Sequence, residues 1–175
     1  MSGRLLLAAL ALLLLGACDR GQDVPPPLEG RPFPAFRLAR LEGGEATEAD
    51  VRGRPLLVNF WATWCEPCRR EMASLQRLAE RLAPTGPQVM GVTVDSDLHL
   101  AREFVLQNGI RFAQLADPER KLSRALGLQA YPHTLLLAPD GRILWSVVGS
   151  REWDEPALVE EVRRRALIVE PRNRS

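Results

Sequence analysis

The chain has 175 residues, 46% of them hydrophobic and 26% charged, enough apolar material for one domain with a real core and too much for a disordered chain. Lys and Arg number 23 against 22 Asp and Glu, a formal net charge of +1. The positive residues are scattered arginines in doublets and triplets rather than a basic block, which argues against nucleic acid as a partner.

In chain order, Arg4 comes first, followed by an unbroken apolar run from Leu5 to Leu15 and then Gly16, Ala17 and Cys18. A membrane-spanning helix needs about 20 apolar residues, so the run is short for a span, and its order of charge, apolar stretch and small residues is that of an export signal over residues 1–17. An uncleaved apolar anchor, or a plain signal peptide followed by an incidental cysteine, fits the same residues. Pro25, Pro26, Pro27, Pro32 and Pro34 then fall in a stretch with few large apolar side chains. Residues 18–32 read as a semi-extended tether, residues 33–168 as the folded domain and residues 169–175 as a tail.

Within the domain, the alternation of Phe36, Leu38 and Leu41 before Gly43-Gly44 predicts an edge strand and a turn, with Ala46 to Val51 leading back inward. Pro55 to Phe60 is almost continuously apolar, as a strand covered on both faces should be. From Pro67, the residues Met72, Leu75, Leu78, Ala79 and Leu82 recur at three and four, an amphipathic helix closed by Pro84 and Gly86. Gln88 to Val94 reads as a second buried strand, Leu98 to Gln107 as a helix ended by Asn108-Gly109, Phe112 to Leu115 as a short strand, and Glu119 to Leu126 as a helix ended by Gly127. Thr134 to Leu137 and Arg142 to Val148 flank the hairpin turn Pro139-Asp140-Gly141, and Pro156 to Leu167 is a last helix. Strands alternating with helices and closing on a hairpin and a helix predict an α/β fold, a central sheet with helices on both faces.

Trp64-Cys65-Glu66-Pro67-Cys68 stands where the buried strand hands over to the helix. Two cysteines three apart in a first helical turn face the same way, so a disulfide between them can open and close with little backbone movement. The helix N-terminus sets partial positive charge and free N–H groups beside Cys65, favouring its thiolate. Position therefore makes Cys65 the nucleophile and Cys68 the thiol that resolves the mixed disulfide. Glu66 places a negative charge next to Cys65, and Pro67 removes an N–H that could solvate the thiolate. A structural zinc site, a permanent disulfide and chance are the competing readings. Zinc lacks a second cysteine pair and finds only His99 and His133, and closing so small a loop stabilises a fold little. Cys18 is the odd cysteine out.

Asn59-Phe60-Trp61-Ala62-Thr63-Trp64-Cys65-Glu66-Pro67-Cys68-Arg69-Arg70-Glu71 resembles the signature of exported thioredoxins of the TlpA, ResA and cytochrome-maturation (CcmG/DsbE) kind. Tyr131-Pro132-His133-Thr134 and Pro139-Asp140-Gly141-Arg142-Ile143 match the loop before the fourth thioredoxin strand and its hairpin, so the likeness runs from about Phe33 to Leu167. It implies a thioredoxin-like fold with an extra helix-strand insertion between Asp95 and Pro132, and thiol-disulfide exchange with no organic cofactor. It further implies that Pro132 is a cis proline facing the dithiol, that Glu71 is a buried acid able to shuttle the Cys68 proton, and that Trp64, Tyr131, Glu66 and Pro67 meet the substrate. Trp61 is expected in the packing and Arg69 and Arg70 on the solvated helix face. Asn59 stands where cytosolic thioredoxins carry a buried Asp, which makes Glu71 the more necessary proton carrier.

Leu15-Gly16-Ala17-Cys18 in turn resembles a bacterial lipobox, implying cleavage before Cys18, its lipidation and an anchor on the periplasmic side of a membrane, with Asp19 resembling an inner-membrane retention signal. The partners so implied are protein disulfides and a membrane thiol donor of the CcdA or DsbD type, with apocytochrome c cysteines as one candidate acceptor. Two alternatives stay open. His133 departs from the family's small or hydroxyl residue and, set opposite Cys65 and Cys68, would complete a soft Cu(I) site of a copper chaperone. A peroxidase of related fold needs Thr three residues before the cysteine, where Ala62 stands.

Overall fold

Leu56–Trp61 (β3) is buried at all six positions, which is what the apolar run demands of a strand sandwiched between two layers. The structure, a computed structural model, describes residues 27–167. The export signal, Cys18, most of the tether and the C-terminal tail therefore lie outside the described residues. β3 pairs in parallel with Gln88–Thr93 (β4) and antiparallel with His133–Leu137 (β6). Together with Arg37–Arg40 (β1), Glu45–Thr47 (β2), Ala113–Ala116 (β5) and Ile143–Val148 (β7) they form one sheet in the order β2-β1-β5-β4-β3-β6-β7. The helices are Glu66–Leu82 (α1), Leu98–Gln107 (α2), Lys121–Ala125 (α3) and Pro156–Leu167 (α4).

The period-two alternation of the strands sorts the core into two layers. Leu57 and Trp61 of β3 and Leu136 of β6 join Met72, Leu75 and Leu78 of α1, Ala101 of α2 and Val159 and Val162 of α4 on one face. Leu56, Val58 and Phe60, with Leu135 and Leu137, join Leu122 of α3, Val51 and the N-terminal Phe33 and Phe36 on the other. Helices thus cover both faces, as expected. On the first face, an added Cβ at Gly91 of β4 would meet the Gln114 side chain at 2.0 Å. Gln114 is fixed there by the Trp61 indole N–H, which donates to its Oε1 at 2.9 Å. Only glycine leaves room for that buried pair.

Three expectations shift. The insertion, α2 followed by β5, sets β5 between β4 and β1, and β2 covers the other side of β1. β1 is therefore an inner strand and β2 the edge, because alternation reports burial of a face and not the number of neighbours. The packed chain starts before Phe33: the Gly30 N–H donates to Ile143 O at 2.8 Å and the Ile143 N–H to Arg31 O at 2.9 Å, so the last residues of the expected tether are docked on β7. Finally, α1 begins at Glu66, which makes Cys65 its N-cap.

Candidate active site

The sharp entry into α1 follows from what the residues around it can satisfy. Cys65 is extended, its Sγ accepts the Cys68 N–H at 3.3 Å, and its own N–H donates to Ala62 O at 3.2 Å. Pro67, in the first turn, has no N–H to leave orphaned. The cysteines form a disulfide, with Cys68 fully buried and Cys65 7% exposed. That asymmetry leaves the Cys65 sulfur as the one a partner can reach.

Asp95, buried at the end of β4, holds the approach to the motif. Its carboxylate accepts the Thr63 N–H at 3.0 Å and hydroxyl at 2.8 Å and the Thr93 hydroxyl at 2.6 Å. Opposite, the Tyr131-Pro132 bond is cis, as the resemblance implied, and the Tyr131 carbonyl oxygen lies 3.5 Å from Cys65 Sγ. Trp64 is 58% exposed and stands edge-on to Tyr131, ring centres 6.1 Å apart. Trp64 precedes Cys65 and Tyr131 turns its carbonyl to the same sulfur, so the paired rings belong to the residues on either side of it, whereas Trp61 is packed in the core.

Glu71, one turn past Cys68, has no exposed surface. Its Oε1 accepts Asn59 Nδ2 at 2.7 Å, and its Oε2 accepts the Arg151 N–H and the Trp153 indole N–H, both at 3.0 Å. Asn59 Nδ2 also donates to Thr134 Oγ1 at 2.9 Å, while its Oδ1 has no partner among the described residues. Burial pushes the Glu71 carboxyl above the ordinary range, against the opposing pull of the donors from Trp153, Arg151 and Asn59. A buried acid beside the resolving cysteine, favouring its neutral form, is suited to accept a thiol proton.

His133 is not brought to the dithiol. It opens β6 with Thr134, and only Thr134 faces α1, through Asn59; His133 lies on the opposite side of the sheet, its Nε2 2.8 Å from Ser146 Oγ on β7. Burial lowers its pKa. The metal site of Cys65, Cys68 and His133 is thereby corrected: strand parity separates the donors. Among the described residues no three His, Cys, Asp or Glu side chains gather to hold a metal ion. Glu66 is also not the bare charge the sequence gives it. It is exposed, and its carboxylate contacts Arg69 and, at 3.5 Å, Arg70, with its pKa lowered chiefly by the Arg69 hydrogen bond.

An open depression of about 570 Å³ lies elsewhere, lined by Arg54, Pro84, Gly86 and Gln88 at the far end of β3 and β4. Exchange with a disulfide needs a reachable sulfur rather than an enclosing cavity, so the motif and not the depression marks the site.

Residues 30–146 match the model of the AhpC/TSA family. The chain belongs to the AhpC/TSA family. The relatives it resembles include thiol:disulfide interchange proteins. It is 38% identical over 130 residues to the thiol:disulfide interchange protein HelX of Rhodobacter capsulatus, covering 72% of this chain and 71% of that one. It is 35% identical over 130 residues to the thiol:disulfide interchange protein DsbE of Pseudomonas aeruginosa, covering 73% and 70%. A solved thiol:disulfide interchange protein of the thioredoxin family from Chlorobium tepidum superposes with a TM-score of 0.64 at 27% identity, covering 75% of this chain and 94% of that one. The protein is a thioredoxin-fold thiol-disulfide oxidoreductase. Ala62 leaves no hydroxyl at the position a peroxidatic cysteine requires, and contributes only its carbonyl to Cys65.

The sequence reading missed Trp153, Arg151, Thr134 and Asp95, all of which hold the site. The one available signal was Trp153, an aromatic in the polar stretch between the last strand and the last helix, which needs an indole partner once buried.

Proposed function

We propose that the enzyme works as a reductant of disulfides in exported proteins, with apocytochrome c cysteines as one acceptor, and needs no organic cofactor. The observation that carries this reading is the surrounding of Cys65 Sγ: one main-chain N–H, a proline where the next would be, and a carbonyl oxygen at 3.5 Å. Such a setting raises the cost of the thiolate and favours the disulfide of this protein, so the dithiol gives up its electrons readily. In the forward step, the Cys65 thiolate attacks one sulfur of the partner disulfide and the other leaves as a thiolate. Cys68 then loses its proton to Glu71 and attacks Cys65 Sγ. The second partner sulfur leaves and takes up a proton; the partner has gained two electrons and the enzyme has become the disulfide. Trp64 and Tyr131 frame the sulfur for the partner chain, and Pro132, lacking an N–H, lets an extended segment lie alongside the loop. Glu66 and Pro67 complete the surface between the cysteines.

Replacing Cys68 by Ser removes the resolving step, so mixed disulfides through Cys65 should accumulate on exported proteins in cells. Their recovery with Cys68→Ser and absence with Cys65→Ser supports the reading, and an equal yield from both variants refutes it.

Supplying electrons to a dithiol outside the cytoplasm calls for a membrane thiol donor, for which the CcdA or DsbD type is the proposed chemistry. Lipidation of Cys18, with the inner membrane as the proposed site given Asp19, would hold the enzyme near such a donor. Labelled fatty acid should then enter the full chain and not Cys18→Ser; equal incorporation excludes the anchor.

A further inference from the structure

Arg120 is the one non-glycine residue with positive φ among the described residues, at φ 53 and ψ 31. A left-handed arginine persists only where its surroundings impose it, and the imposing group is visible. Asp117, buried, accepts the N–H groups of Leu122 at 3.3 Å and Ser123 at 2.9 Å, while the Arg120 N–H donates to Asp117 O at 2.8 Å. The tight loop so formed sets the Arg120 guanidinium over the exposed ring of Trp64, 5.5 Å from its centre, next to the nucleophilic cysteine. Arg69 and Arg70 share Glu66 and Lys121 holds Glu119, while Arg124, which also has no ion pair among the described residues, lines a separate depression with His133 and Ser146. Among the described residues, no carboxylate stands within ion-pair distance of Arg120.

A guanidinium over an aromatic face is attracted by the ring while its N–H groups stay open, and their fork matches a carboxylate two bonds at a time. We propose that Arg120, with Trp64, is a specificity-determining residue that selects partner chains carrying an Asp or Glu side chain beside the cysteine to be attacked. The proposal rests on the reductase reading, since it concerns which disulfide is presented to Cys65. The attraction of the Trp64 ring favours the cation on the side of the residue that precedes Cys65, and the left-handed loop limits the ordering needed on binding.

The test uses the full chain, chemically reduced, and three peptides that share one disulfide loop and differ in the flanking residue, Glu, Lys or Ser. Each rate is divided by that of dithiothreitol on the same peptide, which removes the effect of the flank on the leaving thiol. The wild type should reduce the Glu peptide about fivefold faster than the Lys peptide, and the ratio should shrink towards one as salt rises. Arg120→Glu should invert the order. Arg120→Gly suits the left-handed backbone and should abolish the preference without lowering the melting temperature, which separates recognition from folding. If the wild type reduces all three peptides equally, or Arg120→Glu keeps the wild-type order, the proposal is wrong while the reductase reading stands. If the wild type fails on the Ser peptide as well, the reductase reading falls and the proposal with it.

Discussion

Replacing Glu71 by Gln is expected to slow disulfide exchange by about a hundredfold near neutral pH, the usual contribution of one positioned proton carrier, while leaving the fold intact. The side chain fits. Asn59 now donates to both Glu71 Oε1 and Thr134 Oγ1 and leaves its own Oδ1 without a partner among the described residues. Turning that amide over offers Oδ1 to the introduced glutamine amide and to the Thr134 hydroxyl, and sets Nδ2 where Oδ1 now lacks a partner, the same exchange that a protonated Glu71 donating to Asn59 would require. The chemistry does not fit, because Gln cannot take the Cys68 proton. The wild-type rate should rise with pH as the Glu71 carboxyl ionises, above the ordinary carboxylate range. The variant should lack that rise and recover only where the Cys68 thiol ionises unaided, so the gap closes in alkali. Identical pH profiles for the two proteins would remove Glu71 from the mechanism.

The same substitution makes a stability prediction of defined sign. Burial raises the Glu71 pKa in the folded state, so the group stabilises the fold when protonated, and that contribution is complete below the ordinary carboxyl value of about 4.3. As pH climbs through the raised value, the unfolded chain has already ionised while the folded one must hold a proton or a buried charge, and stability is lost. Glu71→Gln is therefore expected to melt with the wild type at acid pH and above it at neutral pH, by calorimetry. A variant less stable than the wild type at neutral pH would show that the three donors outweigh burial.

The strand-to-helix junction was legible in sequence because the apolar run ending at Phe60 and the three-four periodicity from Met72 are local patterns, and the sheet had only to accept them. The hairpin was legible for the same reason: Gly141 has φ 83, which the Pro-Asp-Gly turn announces. What holds Glu71 was not, since Trp153 is 82 residues away in sequence and Arg151 80, and only the packing of the loop before α4 onto α1 brings them in. His133 shows the limit most plainly. The residue next to a correctly placed proline ended on the wrong face, because one step along a strand inverts the direction of the side chain, and the registers that fix the step involve β3 and β7. Arg120 lay in a helix by sequence and proved to be the residue before it, held left-handed by an aspartate three positions earlier.

The second large expectation concerns the direction of electron flow. A strong oxidant stabilises its reduced form through the thiolate of its first cysteine. Here the N-cap sulfur receives the Cys68 N–H alone among main-chain donors of the described residues, since Pro67 has none to give. The Tyr131 carbonyl then turns the negative end of its dipole to within 3.5 Å of the same sulfur. Glu66, which the sequence casts as a repelling charge beside Cys65, contributes little, because Arg69 and Arg70 engage it. The carbonyl and the missing N–H remain, and both disfavour the thiolate. Equilibration of the full chain against glutathione of known potential, read by trapping the free thiols, measures the outcome directly. A midpoint near the roughly −270 mV of thioredoxin is predicted; a midpoint above about −180 mV, on the way to the roughly −120 mV of DsbA, would make the enzyme an oxidant or isomerase and contradict the account.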